Sequence, residues 1–327
     1  MKKWKETKEV VFHLGEELAA GRTAVLATIT HIEGSTYRRP GAKLLIREDR
    51  SSVGNISGGC LEHDVVEHAM AIMKDRESRS VSYDTDGEDD VWGLGLGCKG
   101  QVRIFLRPFD AKDMDLIEQA LAMLRARESF TIYTQLEGEK RGLMEIGPAQ
   151  PRSGEIAMWA DSLVPPPKVL LCGGGDDSSA LSCLATDLGF HVTISDHRPA
   201  NVDQSDYPKG TELRIEVPEQ LTESLDSETY VVIKMHSFRW DRAWFEKVYE
   251  SSVPYIGILG SRERRDEICA RIPAACCADR VYGPAGLDIG AEGAEQIALS
   301  IMAEIMAIWG HREVGHLRDA ARAIHQV

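Results

Sequence analysis

KVLLCGGGDDSSALSCLATDLGFHVTISDHRP, residues 168–199, decides how the chain is read. A short apolar run (169–172) meets Gly173, Gly174 and Gly175, then a helix-like segment, then a second apolar run closing on Asp196. Strand, tight turn, helix, strand and acid is the order of a βαβ nucleotide-binding unit. Glycine suits such a turn because it tolerates positive φ and lets backbone amides approach a ligand closely. The helix that follows aims free amides and the positive end of its dipole at an anion. Asp196 stands 21 residues beyond Gly175, where such units set a carboxylate over a ribose hydroxyl. Read as G-x-G-x-x-G from Gly173, the third position is Ser178, still small enough for close helix–strand packing. Asp176 and Asp177 open the helix. Acids there favour the dipole by about 0.3–1 kcal/mol each, but they repel a pyrophosphate in the same place. The stretch predicts the fold, and NAD is not expected to bind it.

Upstream, Pro165, Pro166 and Pro167 cannot sit inside a helix or central strand and mark a stiff linker. Two domains follow, 1–164 and 165–327. Downstream, residues 230–234 (YVVIK) give a further buried strand with His236 just beyond it. Ligands of doubly wound sheets lie at strand carboxyl ends, so Lys234 and His236 are expected to border the cleft. A helix over 240–249 and a strand over 255–259 lead to Gly260, Ser261 and Arg262, with Arg264 and Arg265 close behind. Ser261 is a suitable N-cap. A Gly-Ser turn with three arginines is the best anion site of this half. The alternative is a solvated basic helix face. A strand over 280–282 and a long closing helix complete an α/β domain with a Rossmann-like, doubly wound parallel sheet.

The first half reads as an α/β (α+β) domain. Val10, Val11, Leu14 and Leu18 recur at helical spacing, and Gly21 is a natural stop. Strands are expected over 23–30, 42–46, 52–56, 101–106 and 130–133, a helix over 111–127, and hairpin strands within 136–155. The loop before the second strand carries Arg38, Arg39, Pro40 and Gly41, with Lys43 just after it, and its three cations are expected to meet an anionic cofactor. Ser57, Gly58, Gly59 and Cys60 end the third strand and open a helix, a position that lowers a thiol's pKa. A second glycine-rich loop, Gly93, Gly95, Gly97 and Gly100, surrounds Cys98. Each cysteine is either a packing residue or a ligand.

Thirty-eight basic residues against 52 acidic ones give a net charge of −14, which argues against a nucleic-acid or membrane-surface binder. No apolar run approaches the roughly 20 residues that span a bilayer. The N-terminus is charged throughout and lacks a signal-peptide core, so a cytoplasmic protein is expected. Seven cysteines at irregular spacing, without a CxxC pair, read as free thiols in a reducing compartment, and a structural zinc site is not expected.

Segments GSTYRRPGAKLLI, SVGNISGGCLEHDV and GLGLGCKGQVRIFL resemble the amino-terminal domain of the XdhC/CoxI family. The 168–199 stretch, PYIGILGSRERR and GPAGLDIGAEGAEQIALSIMAEI resemble that family's carboxy-terminal Rossmann-like domain. The resemblance runs in order from about residue 10 to 308. It implies a chaperone that binds the finished molybdenum cofactor, as molybdopterin or a dinucleotide form, and protects it. Such a chaperone holds the cofactor while a cysteine desulfurase supports its sulfuration. It then inserts the cofactor into a xanthine dehydrogenase-type molybdenum hydroxylase. Such an accessory protein is not a turnover enzyme, and a homodimer is compatible with it. The family motifs fall on Arg38, Arg39, Pro40, Gly41, Ser57, Gly58, Gly59, Cys60, Gly97 and Cys98, and on Gly173, Gly175, Asp196, Gly260, Ser261 and Arg262. Many relatives carry G-x-G-H where this chain has Asp176, and a glycine where it has Lys99. The chemistry is compatible: arginines pair with phosphate, glycine amides cradle it, and thiolates suit sulfur-rich metal centres. Cys60, more than Cys98, is expected to contact the molybdenum or its sulfido ligand, and the ligand is expected between the domains. Two other readings compete: an NAD(P)-dependent oxidoreductase using residues 173–196, and an interaction module that bridges a desulfurase and its target.

Overall fold

A computed structural model describes residues 2–34, 38–59, 61–84, 100–148, 158–222, 224–272 and 279–319. Cys60, Gly97 and Cys98 lie outside the described residues. The chain divides into two compact units, Met1–Pro165 and Pro166–Val327.

The first unit runs α1 (Lys2–Ala19), β1 (Ala24–Gly34), β2 (Lys43–Arg47), β3 (Ser52–Gly54), α2 (Glu62–Asp75), β4 (Arg79–Asp84), β5 (Gly100–Phe109), α3 (Met114–Ala126), β6 (Phe130–Gln135), β7 (Met144–Pro148) and β8 (Met158–Leu163). Five strands form an antiparallel sheet in the order β3-β2-β1-β5-β4, and three form a second, β7-β6-β8. Strand side chains alternate between faces, and β1 sorts its residues accordingly. Ala24 and Leu26 join α1, α3 and Phe130 in one core, whereas Val25, Ala27 and Ile29 join Val65, Ala69 and Ile72 of α2 in another. The five-stranded sheet is thus covered on both faces. Strand β1 extends to Gly34 rather than residue 30, with a register shift between Ile29 and His31, because its polar end still finds a ladder partner in β5. Strand β4 was not expected from the sequence. Its partly buried apolar residues are Val81 and Tyr83, and it lies at the sheet edge.

The second unit runs β9 (Lys168–Cys172), α4 (Asp176–Leu188), β10 (His191–Asp196), β11 (Glu212–Ile215), β12 (Thr229–Ile233), α5 (Phe238–Tyr249), β13 (Tyr255–Ile258), α6 (Arg262–Cys269), β14 (Val281–Tyr282) and α7 (Gly293–Trp309). All six strands are parallel in the order β11-β10-β9-β12-β13-β14. That is the doubly wound order 3-2-1-4-5-6, which reverses direction between β9 and β12. Leu170, Val231, Ile233, Ile256 and Ile258 share a core with Trp244 and Phe245 of α5 and Ile268 of α6. Helices α4 and α7 pack against each other. No helix among the described residues is long and apolar enough to cross a membrane.

Candidate functional site

The point of reversal holds the glycine turn. A Cβ on Gly173, at φ +119°, would lie 2.5 Å from the Lys234 carbonyl oxygen, and one on Gly174 would lie 2.0 Å from that of Asn201. Only glycine lets the turn pass between these two backbones. Its amides are all engaged within the protein. Gly173 N–H donates to the Ser195 carbonyl at 2.8 Å, Gly174 N–H to Asp196 Oδ2 at 2.9 Å, and Gly175 N–H to the Tyr207 hydroxyl at 2.8 Å. Tyr207 in turn donates to the Asn201 carbonyl at 2.7 Å.

Asp196 is fully buried and its oxygens are taken. The Arg198 fork donates through Nε to Oδ1 at 3.0 Å and through its terminal nitrogen to Oδ2 at 2.7 Å. The Arg198 amide (2.8 Å) and Asn201 Nδ2 (3.1 Å) complete the set. Burial alone would raise this carboxyl, but Arg198, the Gly174 amide and Asn201 together hold it well below the ordinary range. The acid that sequence order places over a ribose therefore locks the loop after β10.

Lys234, just past β12, is 3 % exposed. Its Nζ donates to Ser178 Oγ at 2.7 Å, and the Ser178 hydroxyl donates in turn to the Gly173 carbonyl at 2.5 Å. Burial pushes the amine's pKa down, with Arg198 acting the same way and Asp177, Asp196 and Asp241 opposing. Lys234 forms no salt bridge among the described residues. It lines a cavity of about 20 Å³ together with Asp177, Leu181, Leu259, Ala294 and Ile297. Asp177 Oδ2 lies 3.3 Å from His236 Nε2 at the rim, where His236 takes a positive φ of 54°.

The Gly-Ser turn after β13 is organised by Arg264. Ser261 caps α6 by accepting from the Arg264 amide at 3.3 Å, and a Cβ on Gly260, at φ +137°, would lie 2.6 Å from the Arg264 side chain. The Arg264 guanidinium pairs with buried Asp241, whose other oxygen accepts from the Met235 amide at 2.8 Å. Arg265 pairs with Asp266. Arg262 is exposed and makes no side-chain hydrogen bond or salt bridge among the described residues.

In the first unit, Lys43 Nζ is buried, donating to the Gly41 carbonyl at 3.0 Å and ion-paired with Asp161, which Lys3 also contacts. Arg38 forks onto Glu6, with one bond at 3.0 Å. Two of the three cations expected to meet an anionic ligand are thus engaged inside the unit. Arg39 is exposed and forms no side-chain hydrogen bond or salt bridge among the described residues. The turn at Ser57, Gly58 and Gly59 already holds a carboxylate. Glu62 accepts from the amides of Ile56 (3.3 Å), Ser57 (2.9 Å) and Gly59 (3.0 Å) and from the Ser57 hydroxyl. Burial alone would raise the Glu62 carboxyl, but these donors hold it below its ordinary value. A separate surface groove of about 450 Å³ runs between α1 and α3, with Phe12 and Leu121 in its lining and Lys5, Lys8 and Arg125 around them. No group of three or more His, Cys, Asp or Glu placed to hold a metal occurs among the described residues.

Sequence reasoning named the turns but not their internal occupants, Glu62, Arg198, Asn201 and Tyr207. The nearest signal was position: Arg198 stands two residues, and Asn201 five, beyond Asp196.

Comparison with known proteins adds to this geometry. Residues 169–305 match a family model described as the XdhC Rossmann domain, and residues 17–84 match one described as the XdhC and CoxI family. A Bacillus subtilis protein named as a probable xanthine dehydrogenase subunit is 30 % identical over 86 % of this chain and 92 % of its own length. The Escherichia coli protein named molybdenum cofactor insertion chaperone PaoD is 24 % identical over 91 % of this chain and 87 % of its own. A crystal structure titled as a xanthine dehydrogenase from Bacillus halodurans superposes with a TM-score of 0.80 at 30 % identity, covering 95 % of this chain and 98 % of that one.

Proposed function

The chain belongs to the XdhC and CoxI family, and from that premise we propose that it binds a molybdenum cofactor and inserts it into a molybdoenzyme. The observation that carries this reading is the end-to-end likeness to a protein named as an insertion chaperone. The cargo is molybdopterin or its dinucleotide form, the recipient a xanthine dehydrogenase-type hydroxylase, and a cysteine desulfurase the partner for sulfuration. Arg39 in the first unit and Arg262 in the second are each exposed and without a side-chain partner among the described residues, and each is a cation suited to a phosphate. Cys60 is the residue proposed to meet the molybdenum or its sulfido ligand, on the family resemblance.

The test is to purify the protein from a molybdate-supplied host, denature it, and measure molybdenum and pterin fluorescence. Near-stoichiometric amounts of both are expected, and absence of both would sink the reading. Cys60→Ser keeps size and removes the soft ligand. It is expected to lose most of the molybdenum while the fold is retained by circular dichroism, and undiminished molybdenum would make the thiol structural.

The oxidoreductase reading has less in its favour. The amides of Gly173, Gly174 and Gly175 are donated within the protein, and Asp196 has no oxygen left uncommitted for a ribose.

A further inference from the structure

The cavity beside Lys234 has a composition that specifies a ligand edge. An ammonium can only donate hydrogen bonds and a carboxylate can only accept them. Lys234 supplies the first and Asp177 the second, and Leu181, Leu259, Ala294 and Ile297 make the rest of the wall apolar. Ser178 has spent its proton on the Gly173 carbonyl, so it accepts from Lys234 and satisfies one of the amine's hydrogens. The remaining hydrogens find no acceptor among the described residues, although only 3 % of the residue is open to solvent. A buried donor left in that state costs free energy until something accepts from it. Lys234 and Asp177 share the cavity without forming a salt bridge.

A dianionic phosphate does not suit this place, because Asp177 lines it and Asp176 adjoins it. A plain hydrocarbon would leave the Lys234 hydrogens unanswered, whereas Asp177, half-exposed beside His236, is free to accept from a ligand as well. The matching chemistry is a neutral group carrying an acceptor beside a donor. We propose that the cavity receives the lactam edge of a 2-amino-4-oxo heterocycle, with its carbonyl oxygen on Lys234 Nζ and its N–H or amino group on Asp177. At about 20 Å³ the cavity admits one oxygen-sized atom. The carbonyl oxygen enters, and the ring lies outside over the rim. This deepens the proposed function and rests on it for the choice of cargo. The pterin of a molybdenum cofactor carries this edge, and so does the guanine of a dinucleotide form.

The test uses the full-length protein freed of bound cargo. Pterin is titrated by fluorescence, and guanosine monophosphate, 2,4-diaminopteridine and inorganic phosphate by calorimetry. Saturable binding of pterin or guanosine monophosphate is expected, and which of the two binds identifies the source of the edge. Asp177→Asn and Lys234→Met should each weaken that binding about tenfold or more. The diamino compound, which puts a donor where the carbonyl was, should bind the parent weaker by a similar factor. The inference falls if neither base binds the parent, if both variants bind as the parent does, or if phosphate binds with the same sensitivity to the variants. Should Lys234→Met fail to fold, Asp177→Asn at the half-exposed rim still decides. Molybdenum content separates this inference from the functional reading. Variants that lose no molybdenum overturn the inference and leave the chaperone standing. Variant-sensitive pterin binding in a protein that never carries molybdenum does the reverse.

Discussion

Glu62 and Asp196 stand, in separate units, where an anionic ligand of a glycine turn would stand. Each gathers backbone amides that a phosphate would otherwise use: Ile56, Ser57 and Gly59 around one, Gly174 and Arg198 around the other. Hydrogen bonds to a charged group contribute about 1.5–3 kcal/mol, so Glu62→Gln is expected to destabilise the first unit by about 1–3 kcal/mol in urea at neutral pH. The sign of the pH dependence follows from the lowered pKa of Glu62. A carboxyl held below its unfolded value of about 4.3 contributes stability that is complete above that value and is lost as pH falls through the folded one. The gap between parent and Glu62→Gln should therefore be full at neutral pH and close as the solution is taken below about pH 4. A gap that stays constant down to acid pH would contradict this role.

At the scale of elements, the reversal between β9 and β12 depends on Gly173. Alanine there meets the Lys234 carbonyl and a φ of +119° at once. Backbone strain of this kind costs about 1–3 kcal/mol, and Gly173→Ala is expected to lose at least that much in a denaturant melt of the second unit. Stability like the parent's would mean the turn relaxes freely. The start of α4 carries a second expectation: with the amides of the turn engaged and Asp176 and Asp177 at the helix opening, NAD should give no saturable heat in calorimetry. Micromolar binding would overturn it. The parallel sheet was legible because apolar runs such as VLLC and YVVI are buried on both faces and announce themselves. Two edge strands, β4 and β11, were not legible in that way, because their half-exposed patterns read like loops. The turns were legible as glycine, but their occupancy was not. Whether a glycine amide faces a ligand or the chain's own acid depends on side chains brought back by the fold, Arg198 and Tyr207 among them. For the same reason the spacing of Lys43 marked it as a cation near a loop and gave no hint of Asp161, 118 residues away.

For the molecule as a whole, each unit has buried apolar residues of its own. Among the described residues, two clusters of the first end with Leu163, and one of the second lies between Leu170 and Val281. A piece starting at Pro166 contains the complete parallel sheet and its helices, so it is expected to fold alone and unfold in one cooperative step. A molten, non-cooperative transition would show that it needs the first unit. The first unit cannot be trimmed so simply. One of its buried carboxylates, Asp161, comes from β8, the last strand of the unit, yet it neutralises Lys43 in β2 and meets Lys3 in α1. A growing polypeptide emerges from the ribosome amino end first. Until residue 161 has cleared the exit, Lys43 lacks the carboxylate that lets it leave water, so a nascent chain stalled in β6 or β7 carries all five strands of the first sheet with the Lys43 corner still unclosed.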